Sequence, residues 1–298
     1  MAMKTYLVTG ASGFIGSRLI RELTKSGAKV IAFTRKDIDN PDIEQIFGDF
    51  ANLDDLEQLK GRNIDVVIHL AGVTGDANEE DAIVVNVAGT SRFLRFAVDL
   101  GVKKFVIASS IAVVGCLTAD FTPRSLPIKD DHECDTSNVY GLSKYFVEEL
   151  SRYFSRLNDE IEFTLFRIGV VLAETAAPAD EDRISKMWRP FCTLGCISVI
   201  DAVRAFELAV LKEKKPGLHL MNLVSNKVYS QVPTVKALQL ALGQRADSMD
   251  LSFYKIPGNE FAGLYETDQV QKFLNFEVSV DLQTMKISFL ILPHFGKR

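Results

Sequence analysis

The sequence predicts an α/β protein, a doubly wound parallel sheet with a smaller carboxy-terminal lobe. Three observations predict it. An apolar run near the amino terminus breaks at a glycine turn and passes at once into a helical pattern; apolar runs and helical patterns then alternate through about residue 170; beyond that point the patterns loosen. Such alternation marks parallel strands whose crossover helices cover both faces of the sheet.

The first strand is Tyr6-Leu7-Val8-Thr9, and the turn after it reads Gly10-Ala11-Ser12-Gly13-Phe14-Ile15-Gly16. Gly10 permits the tight turn, Gly13 admits a pyrophosphate to the backbone, and Gly16 lets the helix lie close on the sheet. Free N–H groups at the helix start then attract phosphate, so Ser12, Phe14 and Ile15 are expected beside a dinucleotide together with the three glycines. Phe14, Ile15, Leu19, Ile20 and Leu23 recur at helical spacing, and Ser26-Gly27 closes the helix before the strand Lys29-Val30-Ile31-Ala32-Phe33.

The end of that second strand meets the adenosine ribose, where a carboxylate would select NAD. Here the sequence has Thr34-Arg35-Lys36. Arg35, assisted by Lys36, can grip a 2′-phosphate, which favours NADP over NAD, although Asp37 and Asp39 keep NAD open.

A short strand at 45–50 contains Asp49 and Phe50; Asp49 could equally cap a turn. The run Asp65-Val66-Val67-Ile68-His69-Leu70-Ala71-Gly72 reads as a central strand, with His69 a packed histidine at its end. Ile83, Val84, Val87, Phe93, Leu94, Ala97 and Leu100 trace a long helix over 78–100, and Lys103–Ser110 is a fifth strand ending in Ser109 and Ser110. Strand ends of an open parallel sheet are where ligands bind. Residues 116–137 read as a long loop over the site, with His132 on its surface. A helix follows in which Tyr140 and Lys144, four residues apart, share one face, and a strand over 162–171 completes the regular part.

A phenol with a pKa of about 10 is a poor base at neutral pH, and an adjacent ammonium lowers it. Tyr140 beside Lys144 is therefore a pair suited to moving the proton of a carbinol as its hydride goes to nicotinamide.

With Thr9 before it, the Gly-x-x-Gly-x-x-Gly spacing, joined to the serine-ended strand and Tyr140-x-x-x-Lys144, resembles the fingerprint of the extended short-chain dehydrogenase/reductase family. That family comprises the nucleotide-sugar epimerases, dehydratases and related reductases, on a Rossmann-type fold. The resemblance implies that Asp49 meets the adenine amino group, that Leu70, Ala71 and Gly72 line the cofactor, and that Asn86 supports this backbone. It also implies that Ser110, Tyr140 and Lys144 are catalytic, with Ser109 and Ile168 beside the nicotinamide and Lys144 on its ribose. Val73, Ile111 and Arg183 are expected to join Ser110 and Tyr140 around the substrate.

The chain departs from the family pattern at four places. Val114 replaces a tyrosine, Val170 an asparagine, and Leu172-Ala173-Glu174 a Tyr-Gly-Pro ending; Ile111-Ala112 stands where dehydratases carry an acidic pair. The expectation is NAD(P)-dependent chemistry at a sugar carbinol, as epimerase or reductase, on a nucleotide-sugar. The alternatives are a reductase of a small carbonyl compound and a non-catalytic NADP-sensing regulator. Residues 1–170 are the expected cofactor domain, rejoined by 197–224; residues 171–196 and 225–298 form the expected substrate lobe. In that lobe Arg183 and Arg189 either meet an anion or are solvated, and Trp188 is expected in its core. The helices around 80–100 and 139–157 resemble the pair through which relatives form homodimers.

Composition bounds the rest. A 47% hydrophobic content excludes disorder, and a net charge of -5 gives no general affinity for nucleic acid or an anionic membrane. Without a membrane-length apolar run or a leader pattern, the expectation is a cytoplasmic protein. Cys116, Cys134, Cys192 and Cys196 are too irregular for a disulfide framework and lack histidine partners, so ordinary thiols and no metal are expected.

Overall fold

Residues 4–74, 77–284 and 286–287 are described by the computed structural model; the outer ends of the expected segments 1–170 and 225–298, at 1–3 and 288–298, lie outside them. The strands in chain order are β1 (Thr5–Thr9), β2 (Lys29–Thr34), β3 (Glu44–Phe47), β4 (Val66–His69), β5 (Lys104–Ser110), β6 (Glu162–Ile168), β7 (Val170–Leu172), β8 (Cys196–Ser198) and β9 (Gly217–Leu223). Seven make one sheet in the order β3-β2-β1-β4-β5-β6-β9, and every pair is parallel. The order reverses between β1 and β4, which opens a crevice beyond their carboxyl ends. The step at 197–205 is a strand and a helix as expected, but β8 pairs with β7 in a small separate sheet.

The principal helices are α1 (Gly16–Lys25), α2 (Leu53–Leu56), α3 (Glu79–Asp81), α4 (Thr90–Asp99), α5 (Val139–Leu157), α6 (Glu181–Ser185), α7 (Pro190–Thr193), α8 (Val199–Leu211), α9 (Thr234–Leu242) and α10 (Asp268–Leu274). On one sheet face Leu19, Ile20 and Leu23 of α1 pack with Phe206 and Ala209 of α8; on the other, Phe93 and Leu94 of α4 pack with Val147 and Phe154 of α5. Each of the larger side chains contributes about 1.5–3 kcal/mol by burial, which is what orients the helices. A third cluster joins Phe191, Leu238, Tyr254 and Tyr265 to Ile111, Val114 and Phe121, so the lobe packs directly onto the turn after Ser110.

Three expectations are corrected. The helix over 78–100 is not uniform: Ala82–Gly89 is a π-helix between α3 and α4. Its wider turn puts Ala82, Asn86 and Gly89 inward and leaves Val84 exposed, against the apolar spacing. His132 is buried rather than on the loop surface, because its carbonyl accepts from Arg167 and its ring packs edge-on to Phe121. Trp188 is 61% exposed rather than in the lobe core, its ring covered instead by the guanidinium of Arg189 at 3.5 Å. No helix among the described residues is long and apolar enough to cross a membrane.

Candidate active site

A cleft of about 570 Å³ lies across the carboxyl ends of β1, β2 and β4. Gly10, Ser12, Gly13, Phe14, Ile15 and Gly16 form one wall; Arg35, Lys36, Asp49 and Phe50 form one end; and Leu70, Ala71, Gly72 and Val73 run along the other side. Gly10 and Gly16 of the turn admit no side chain. A Cβ on Gly16 would stand 2.2 Å from the Gly10 carbonyl oxygen, and one on Gly10, whose φ is +70°, would stand 2.7 Å from the Ala71 nitrogen. A close-packed backbone turn at a helix start, open to a long cleft, fits a dinucleotide.

At the β2 end of the cleft the exposed Arg35 faces the half-buried Asp49 at 3.6 Å. Asp49 serves in two ways, since its other oxygen accepts from the Ala51 N–H at 2.9 Å and closes the turn. Asn86 is behind the wall: its side chain accepts from the Val73 N–H at 2.8 Å and donates to the Val73 carbonyl at 3.0 Å. His69 is packed as expected, between Thr9 Oγ1 at 2.7 Å and Thr90 Oγ1 at 3.0 Å. Burial, then the Lys144 charge, pushes its pKa down to about 3, so it is neutral.

Deeper in the molecule, α5 begins where Asn138 caps the N–H groups of Tyr140 and Gly141. The cap fixes the first turn and so places Tyr140, whose hydroxyl is hydrogen-bonded to that of Ser110. Ser110 Oγ also accepts from the Ala112 N–H at 3.1 Å. Burial raises the Tyr140 pKa, opposed by this serine. Lys144 donates to the Ala108 carbonyl at 2.9 Å, and burial brings its pKa down to about 8 against the pull of Glu148. Serine, tyrosine and lysine are thus gathered at the carboxyl end of β5, with Ala108 itself in the cleft wall.

The other expected residues fall outside this surface. Ser109 turns its hydroxyl away to Glu148 at 2.6 Å, and Ile168 lies beside Ser110 in the strand register, packed in the core. Glu148 holds Arg167 in a bidentate pair at 2.9 and 2.8 Å, and Arg167 donates onward to the carbonyls of Asp130 and His132. This buried chain ties the 116–137 loop to α5. The sequence reading missed Glu148, although its place four residues beyond Lys144 on the same helix face was the available signal.

Across from Tyr140 stand groups of the lobe. Ile111 is buried against them; Arg183 is exposed and donates to the Ala177 carbonyl at 3.0 Å. Cys116 and Cys196 are buried, whereas Cys134 and Cys192 are half-buried. Among the described residues no group of three or more potential metal ligands converges.

Comparison with known proteins adds the following. The family described as the NAD dependent epimerase/dehydratase family matches residues 6–194. A Methanocaldococcus jannaschii protein of UDP-glucose 4-epimerase type is 32% identical over 185 residues, covering 59% of this chain and 58% of that protein. The UDP-glucose 4-epimerase of Haemophilus influenzae is 28% identical over 282 residues, covering 79% of this chain and 82% of that one. In overall fold the chain is similar to MoeE5 solved with UDP-glucuronic acid and NAD, with a TM-score of 0.69, 22% identity, and 95% and 97% of the two chains covered. It is similar also to the Bifidobacterium longum UDP-glucose 4-epimerase solved with NAD+ and UDP, with a TM-score of 0.68, 21% identity, and 95% and 96% covered.

Proposed function

Because this chain belongs to the NAD dependent epimerase/dehydratase family, we propose that it oxidises and reduces a carbinol carbon of a nucleotide-sugar, as an epimerase, through Ser110, Tyr140 and Lys144. The observation that carries the reading is the convergence of those three side chains at the end of β5, next to a cleft fitted to a dinucleotide.

The bound nicotinamide supplies a hydride acceptor and donor. Tyr140 takes the carbinol proton on its phenolic oxygen as the hydride leaves, and returns it when the carbonyl is reduced. Lys144, still largely protonated at neutral pH, favours the phenolate by its charge, and the Ser110 hydroxyl donates to the reacting oxygen. Tyr140 is half-buried, which limits the access of water to the exchange.

For the cofactor we infer NADP, from Arg35 and Lys36 at the end of β2 and the want of a carboxylate on that strand end. Asp49 offsets part of the Arg35 charge, which admits NAD, the cofactor of the similar structures named above. A second reading, reduction of a small carbonyl compound, is favoured by Val170 and Glu174, which stand where the family pattern has residues that help bind a nucleotide-sugar.

The test needs no substrate to begin. Freshly purified protein is denatured and any released dinucleotide is identified and counted by mass spectrometry; the protein is then offered UDP-glucose and UDP-galactose. About one dinucleotide per chain with interconversion of the two sugars supports the epimerase. A protein that is empty but binds NADPH reversibly supports the reductase, and one that neither retains nor binds a dinucleotide sinks both. Tyr140→Phe is expected to cost about 10²- to 10⁴-fold in turnover with dinucleotide binding kept; a variant of undiminished rate would remove Tyr140 from the mechanism.

A further inference from the structure

A second cavity, of about 390 Å³, opens between the 116–137 loop and the carboxy-terminal lobe, and it shares no residue with the dinucleotide cleft. Its floor is fixed by backbone bonds between distant segments. The Ile128 N–H donates to the Leu264 carbonyl at 2.8 Å, the Glu266 N–H to the Ile128 carbonyl at 2.8 Å, and the Gly263 N–H to the Asn226 carbonyl at 2.8 Å. The Asn222 amide, buried beneath, donates to the Ile128 and Glu266 carbonyls at 3.2 and 3.3 Å. A cavity held open in this way is formed before any ligand arrives, and its size suits a small molecule.

Ile128 and Tyr265 pair as a parallel bridge, so Lys129 and Glu266, the next residue of each segment, stand side by side, paired strands running about 4.8 Å apart. Ile128 and Tyr265 are buried, and the alternation of an extended chain turns the two following side chains outward, to the cavity that both line. Among the described residues neither the Lys129 ammonium nor the Glu266 carboxylate has a hydrogen bond or an ion pair, with each other or with any other group. The third charged lining group, Asp268, is already held by Lys272 at 3.4 Å. Leu126, Pro127 and Phe253 add apolar surface beside these charges.

We propose that this cavity binds a free α-amino acid with an apolar side chain, its carboxylate on Lys129, its ammonium on Glu266 and its side chain against Leu126, Pro127 and Phe253.

One cation and one anion at adjacent positions, both unpaired, match a ligand whose own two charges are one carbon apart, and each contact is a charge-assisted hydrogen bond. A phosphate or a simple carboxylate would face Glu266 and Asp268, and a simple amine would face Lys129. The occupant would also lie close to the catalytic turn. Tyr265, which lines the cavity, donates to the Phe191 carbonyl at 3.0 Å, and its ring meets Gly195, where an added Cβ would stand 2.6 Å from Tyr265 Cε2 and 3.3 Å from Ile111 Cδ1. Ile111 is the residue after Ser110.

The experiment titrates the full chain calorimetrically with L-leucine, L-phenylalanine, isocaproate and isoamylamine, the last two being leucine without its ammonium and leucine without its carboxylate. Saturable binding of leucine or phenylalanine is expected at a Kd of about 1 mM or tighter, with the two half-charged analogues about 10-fold weaker or more. Lys129→Met and Glu266→Gln are each expected to weaken the amino acid about 10-fold or more. Because both side chains are free in the folded chain, the variants are expected to keep the wild-type denaturation midpoint. Failure of both amino acids to saturate the wild type below about 10 mM, equal binding of isocaproate, or undiminished binding in both variants would overturn the assignment. The titration of the wild type decides it even if a variant does not fold. Binding here needs neither dinucleotide nor turnover, so failure of the carbinol reading does not mimic failure of this site.

Discussion

Asp130 shows how far a single side chain can escape a reading of the sequence. It lies in a loop rich in proline and acidic residues, yet it is buried, with one carboxylate oxygen accepting from the Asn222 N–H and the other without a partner among the described residues. Burial, opposed by that N–H, pushes its pKa up to about 7, with Glu266 raising it further and Arg167 lowering it. A folded pKa above the unfolded 3.8 means that the stability Asp130 contributes is fully present below the unfolded value and is lost as pH rises through about 7. Asp130→Asn is expected to flatten this loss, so that its denaturation midpoint gains on the wild type between pH about 4 and about 8; parallel curves would refute the assignment. His132 and Trp188 were misread for a related reason. Local composition says how polar a segment is, whereas burial is decided by partners such as Arg167 and Arg189 that are distant in the chain or unpredictable in direction. The geometry of the glycine turn was legible because it follows from immediate neighbours, and the packing of His69 because it ends an almost wholly apolar run.

At the scale of elements, α5 carries Tyr140, Lys144 and Glu148 at successive turns of one face, and each is fastened to β5: to Ser110, to the Ala108 carbonyl and to the Ser109 hydroxyl. The geometry of the proposed catalytic set is a property of this helix-on-strand seam. Its anchor is the Glu148–Arg167 pair, with side chains 2% and 5% exposed. Glu148→Gln leaves a buried guanidinium without its counter-charge and is expected to cost about 3–5 kcal/mol in a urea denaturation. Joint replacement with Arg167→Met is expected to recover much of this, because no charge is then stranded; a double variant no better than the single one would show that the loop contacts of Arg167 dominate. The periodicity of α5 was plain in the sequence. The π-helix at Ala82–Gly89 was not, since Asn86 reaches the Val73 backbone by a widened turn that no apolar spacing encodes.

For the whole molecule, the alternating patterns were enough to foresee a doubly wound sheet, because strand order follows from right-handed crossovers. The lobe was less legible: its cluster is shared with the turn after Ser110, so its pattern has no meaning apart from the sheet. One face stays uncovered, with Val84, Leu142, Phe146, Tyr153 and Leu157 exposed beside a groove of about 430 Å³ between α4 and α5. We infer that a second copy covers it. Sedimentation at micromolar concentration is expected to show a dimer, and Phe146→Glu a monomer of unchanged fold; a wild-type monomer would end the idea. The ion pair of Arg18 with Glu174, at 3.4 Å, joins the glycine-turn helix to the chain just after β7, whose Val171 lines the cleft. The pair bridges two segments that each contribute to the cleft wall, and its rupture is expected to loosen their hold on a bound dinucleotide. Since both partners are partly exposed, it is worth about 0.2–1 kcal/mol, and raising the salt or substituting Glu174→Gln is expected to speed cofactor release about 1.4- to 5-fold in stopped-flow exchange. The residue that breaks the family's Tyr-Gly-Pro ending would thereby act as a clock on how long each chain keeps its cofactor between exchanges.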